Sequence, residues 1–190
     1  MPVKSSWHRF FKGYDLKTLI FGYGNIDRQD DGVAWHVLLD VMQRLGLDTS
    51  QVDENDLPFP HDDYEFQFQL QLLPEFADDL GRFDRVVFID AHTGSVPDEI
   101  HTEAVLPEYQ SSPFTHHMTA STLLSLCEVI KGRHPDALLV SVRGYEFEFT
   151  RSLSQRTSEL SLEAGMRIIN WISQDSDSGE IGRASCRERV

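Results

Sequence analysis

A short apolar run ending in glycine, Leu16-Lys-Thr-Leu-Ile-Phe-Gly22, leads into a Gly- and Asp-rich segment and then into a stretch with apolar residues at helical spacing. The run is too short for a core helix and too apolar for a surface loop, so it reads as a buried strand. After it, Val33, Val37, Leu38, Val41 and Leu45 share one helical face, and Gly46 supplies a C-terminal stop. This opening constrains everything that follows. A strand apolar on both sides must be covered on both faces, which requires further strands beside it and helices above and below.

The rest of the chain supplies them. Tyr64 to Leu72 alternate apolar with polar residues as a strand does, Pro74 opens a short helix through Leu80, and Arg85 to Asp90 form a second buried strand. Glu103 to Leu106 fit an edge strand, Thr119 to Ile130 a helix, and Ala137 to Val142 another strand. Ser154 to Ile172 form a last amphipathic helix with Leu160, Leu162, Ala164, Ile168, Ile169 and Ile172 on its apolar stripe. Strands alternating with helices predict an α/β three-layer sandwich, with a mostly parallel twisted sheet of about five strands and helices on both faces. Residues 1–179 are expected to form a single domain. Residues 180–190, Glu-Ile-Gly-Arg-Ala-Ser-Cys-Arg-Glu-Arg-Val, differ in composition and resemble the in-frame translation of a sequencing adapter, which makes them a non-native appendage. Cys127 then remains as the one native cysteine, inside an apolar helical pattern where a buried thiol is expected.

With 17 Lys and Arg against 31 Asp and Glu, the formal net charge is -14, and the long-range field opposes nucleic acid and anionic membranes alike. There is no apolar run of membrane-spanning length and no apolar leader behind the first basic residues, so a cytoplasmic protein without a membrane or nucleic-acid partner is expected.

Function in such folds gathers in loops at the carboxyl ends of strands. The first, Gly22-Tyr-Gly24-Asn25-Ile-Asp-Arg-Gln-Asp30-Asp31-Gly32, lacks the third glycine of a dinucleotide fingerprint, because position 27 is Asp. Its acidic pair would occupy the dipole site that a phosphate needs, which weighs against a nucleotide-binding domain. Asp30 and Asp31 can equally cap the following helix. Asp90 closes a buried strand, and His116 and His117 precede a helix. Carboxylates after two strands with an imidazole before a helix make an oxygen and nitrogen ligand set suited to Ni, Zn or Fe. There is no Ser, Cys or Thr nucleophile with a base partner and no Gly-x-Ser-x-Gly motif, so covalent catalysis is not expected.

Three motifs carry a family resemblance. Gly22-x-Gly24-Asn25 with Asp30-Asp31-Gly32, Phe88-Ile-Asp90-Ala91, and Thr115-His116-His117-Met118 with Leu124 resemble, in order, segments of the hydrogenase maturation endopeptidases. Members of that family trim the C-terminal extension from the large subunit of nickel-iron hydrogenases. Val140 to Glu148 and Leu153-Ser154 are similar to the family's last strand and the start of its final helix, and Gln71 to Glu75 to a branch associated with bidirectional, NAD-linked hydrogenases. The sequence departs from the family in lacking its Gly-Gly-Thr loop, in Ala34 where glycine is frequent, and in Thr150-Arg151 before the final helix. The resemblance implies an aspartyl-type endopeptidase activity, with Asp31, Asp90 and His116 as both the catalytic and the metal-contacting residues. It places His116 rather than His117 in that role, by the register of Met118 and Leu124. It further implies that the nickel belongs to the partner, the large-subunit precursor, and that the protease contacts it there before cutting. A metal-dependent recognition module, binding an immature metalloprotein without proteolysis, would present the same residues.

Overall fold

The computed structural model of the chain describes residues 16–108 and 118–174. In chain order the elements are β1 (Thr18–Tyr23), α1 (Val33–Arg44), β2 (Phe59–His61), β3 (Tyr64–Gln69), α2 (Phe76–Leu80), β4 (Arg85–His92), β5 (Ile100–Val105), α3 (Ala120–Lys131), β6 (Asp136–Arg143) and α4 (Gln155–Gln174). The strands form one six-stranded sheet in the order β2-β3-β1-β4-β6-β5. The four inner strands run parallel, and β2 and β5 pair antiparallel at the two edges.

Strand alternation sorts the core into two layers. On one face Ile20, Val87, Ile89, Val140 and Val142 meet Val37, Leu38 and Val41 of α1 and Leu160, Ala164 and Ile168 of α4. On the other, Leu19, Phe21, Val86 and Phe88 meet Leu80 beside α2's end and Leu123, Leu124 and Cys127 of α3. The three-layer α/β sandwich predicted from the sequence is thus the fold, with one strand more than expected. The additional strand, β2, is three residues long and contains Pro60, which an edge strand tolerates because its outward N–H needs no partner. Several boundaries also move: β3 ends at Gln69 rather than Leu72, α2 starts at Phe76 rather than Pro74, β4 runs on to His92 rather than stopping at Asp90, and β5 spans Ile100–Val105 rather than Glu103 to Leu106. None of the described helices is long and apolar enough to cross a membrane.

The chain order reverses beside β1. From β1 it passes over the α1 face to β3 on one side, and from β3 it returns over the α2 face to β4 on the other. β1 and β4 are thus neighbours where the strand order reverses, and ligands in open parallel sheets bind at the carboxyl ends of such strands.

Candidate functional site

Asp90 is the residue that β4 delivers to this end of the sheet. β1 and β4 are in parallel register through Gly22 and Ile89, so the next residues along, Tyr23 and Asp90, lie side by side on the same face. The Tyr23 phenol donates a hydrogen bond to the Asp90 carboxylate. The Ala91 N–H lies 2.7 Å from Asp90 Oδ1. Burial pushes the Asp90 carboxyl up to about 7, with a further rise from the negative charge of Asp31, although the bonds from Ala91 and Tyr23 oppose it. The same burial, with the Asp90 charge beside it, raises the Tyr23 hydroxyl well above its ordinary range, so it stays protonated as a donor.

Asp31 comes from the loop after β1. A single 3₁₀ turn, Gln29–Gly32, carries it against β4. The loop closes on itself: Asn25 N–H donates to Asp31 Oδ2 at 3.2 Å, Asp31 N–H to the Arg28 carbonyl at 3.1 Å, and Gly24 N–H to Gln69 of β3 at 3.0 Å. Gly24 has φ +143°, and a Cβ there would overlap the Asp31 carbonyl oxygen, so only glycine permits the approach. Asp31 is thereby brought within electrostatic reach of Asp90.

Asp30 and Asp31 do not cap α1. The N-cap is Gly32, with no side-chain capping bond. Asp30 turns the other way and is fully buried against the start of α4. Its Oδ2 accepts from the backbone N–H of Tyr145 at 2.8 Å and of Glu146 at 2.9 Å, and lies 2.7 and 2.8 Å from the hydroxyls of Ser154 and Thr157. Its Oδ1 accepts from the Ser154 N–H at 2.7 Å. Burial alone would raise this carboxyl, but the bonds from Ser154, Tyr145 and Glu146 outweigh it and hold the group below the usual carboxylate range. The two adjacent aspartates therefore divide the labour: Asp30 fastens the loop to the β6–α4 connection, and Asp31 faces Asp90.

A cleft of about 660 Å³ opens beside Asp90 on the α2/α3 side. Tyr23, Leu72, Asp90, Glu103, Met118 and Leu139 are among its walls, so apolar side chains and carboxylates both face it. His116 and His117 lie outside the described residues, while Met118 and Thr119, the first described residues after them, line this cleft. Among the described residues no group of three His, Cys, Asp or Glu side chains is arranged to hold a metal ion. What is described is Asp90, held by a tyrosine in the wall of a cleft, with Asp31 within electrostatic reach of it. Cys127 is buried in α3. Of the residues at the site, Tyr23 was not singled out from the sequence, where it stands only as the variable position of Gly22-x-Gly24. Its role arises from the register between β1 and β4.

No family model and no curated protein matches the sequence. Solved structures do match the fold. The hydrogenase maturating endopeptidase HybD from E. coli is similar over 85% of this chain and 94% of its own, with 19% identity and a TM-score of 0.61. A [NiFe] hydrogenase maturation protease, HycI from Thermococcus kodakarensis KOD1, is similar over 83% of this chain and 93% of its own, with 15% identity and a TM-score of 0.57. An uncharacterized protein from Wolinella succinogenes is similar over 84% of this chain and 99% of its own, at 19% identity and a TM-score of 0.55. The fold of this chain is thus the fold of the hydrogenase maturation endopeptidases.

Proposed function

We propose that the protein is an endopeptidase that removes the C-terminal extension from the precursor of a nickel-iron hydrogenase large subunit, in the cytoplasm and after nickel has been inserted. The observation that carries this reading is the pairing of Asp31 with Asp90 at the sheet's topological switch point, beside a cleft, in a fold shared with proteases of that name. The nickel is part of the substrate. Asp31 and Asp90 supply oxygen ligands and His116 a nitrogen ligand to it, a set that leaves coordination positions for the precursor's own groups.

The chemistry follows from the same groups. Hydrolysis adds the oxygen of water to the scissile carbonyl carbon, moves one proton to a base, and returns it to the leaving amine nitrogen as the C–N bond breaks. The proton passes through one of the two carboxylates, Asp31 or Asp90. Tyr23 holds the Asp90 carboxylate in one orientation, and the cleft receives the extended tail.

Incubating the purified protein with a precursor that carries its extension tests the proposal by intact mass. Loss of the extension's mass is expected. A stable complex with the precursor's mass unchanged would replace the protease by the recognition module, and neither cleavage nor binding would reject both.

A further inference from the structure

Beyond Asp30, the connection between β6 and α4 runs Gly144-Tyr-Glu-Phe-Glu-Phe-Thr-Arg151 without regular secondary structure, yet it is fastened along its length. Gln29 N–H donates to the Thr150 carbonyl at 2.7 Å, Glu148 N–H donates to Gln29 Oε1 at 3.0 Å, and Gln29 Nε2 donates to Glu146 Oε2 at 2.9 Å. Asp30 N–H donates to the Glu146 carbonyl at 3.1 Å, and the Asp30 carboxylate receives Tyr145 and Glu146 as described above. To make these bonds Gln29 adopts φ +49° and is nearly buried, a conformation that costs a non-glycine residue energy and persists only where the surroundings impose it.

The side chains that this framework presents are unusual for a pinned loop. Phe149 is 91% exposed, and Tyr145 is 41% exposed. Tyr145 is already engaged, by Arg143 at 5.1 Å from its ring and by its hydroxyl bond to Glu99. Phe149 projects into solvent from a backbone that cannot fold it away. It alternates with Glu146 and Glu148, both exposed, and no cation interrupts Tyr145 to Phe149. Asp30 ties this loop to the segment that also carries Asp31.

We propose that this strap is the docking ridge for the folded precursor: its occupant is a protein surface with an apolar pocket for Phe149 and a Lys/Arg rim facing Glu146 and Glu148. The charge of the strap and of the chain as a whole, -14, selects a cationic rim, and aromatic side chains, Phe among them, are enriched at the buried core of protein interfaces. The inference rests on the proposed protease reading, because it takes the precursor as the partner.

The test compares wild type with Phe149→Ala, Phe149→Trp and Glu148→Lys on the nickel-loaded precursor, measuring Kd by interferometry and KM and kcat by intact mass. Phe149→Ala is expected to raise Kd and KM at least tenfold with kcat within twofold and the melting temperature unchanged. Phe149→Trp should stay near wild type, and Glu148→Lys should weaken binding most at low salt. A Phe149→Ala protein whose Kd lies within twofold of wild type overturns the docking ridge while leaving the protease reading intact. A wild-type protein that neither binds nor cuts the precursor overturns the protease reading and the ridge with it. A change of oligomeric state in Phe149→Ala would assign the ridge to a second copy of this chain and so also reject the proposal.

Discussion

Asp90 bears opposing demands. Its place at the end of a buried strand raises its carboxyl to about 7, whereas an unfolded aspartate titrates near 3.9. The folded state therefore holds the proton more tightly, so this residue's contribution to stability falls as pH rises from about 4 to about 7 and its cost is fully present above that. Asp90→Asn in metal-free protein should remove the cost: at pH 8 the variant should be more stable by about 1–2 kcal/mol, after discounting for partial exposure, and the gap should narrow toward pH 4. Urea unfolding in the presence of a chelator at both pH values measures this, and a variant less stable than wild type at pH 8 would contradict it. Asp90 was legible as a strand-end carboxylate because it closes an apolar run, whereas the choice of Asp31 over Asp30 came from the family resemblance. Tyr23 was not legible, since its bond to Asp90 depends on how two strands far apart in sequence align.

At the scale of elements, the loop after β1 and the start of α4 are locked together by Asp30. Asp30→Ala would leave two backbone segments and the hydroxyls of Ser154 and Thr157 without their acceptor, and unpaired buried donors cost about 1–3 kcal/mol each, so a loss of roughly 3 kcal/mol or more is expected. Because the Asp30 carboxyl is held low, this contribution is present above the unfolded pKa and is lost as pH falls through the folded one. Chemical denaturation at pH 7 checks the magnitude, and a loss below about 1 kcal/mol would mean that solvent replaces the clamp. The sequence showed two adjacent aspartates and a choice between capping and chemistry. Neither pattern nor spacing could reveal that a tight turn sends one to α4 and the other to β4. The alternation in β3 reads through to the structure, with Phe66 and Phe68 buried on one side, while Glu65 on the other is buried with Arg82 at 3.0 Å.

For the molecule as a whole, the order of strands and helices was readable because apolar runs and helical stripes alternate with clear Gly and Pro punctuation. The switch point was implied by that alternation, but not the strand order that creates it, which depends on the crossovers passing over opposite faces. The site is proposed to inspect a nickel-bearing precursor and then to cut it, with Asp31 and Asp90 acting as a pair. Measuring the cleavage rate on nickel-loaded and nickel-free precursor, for wild type and for Asp31→Asn, tests it most directly. The account predicts rapid release of the extension only from the nickel-loaded precursor by wild type, and a rate at least a hundredfold lower for Asp31→Asn with the fold retained, on the order of the loss expected when an acid-base or ligand group is removed. Equal rates on the two precursors, or an Asp31→Asn protein that cuts as fast as wild type, would contradict it.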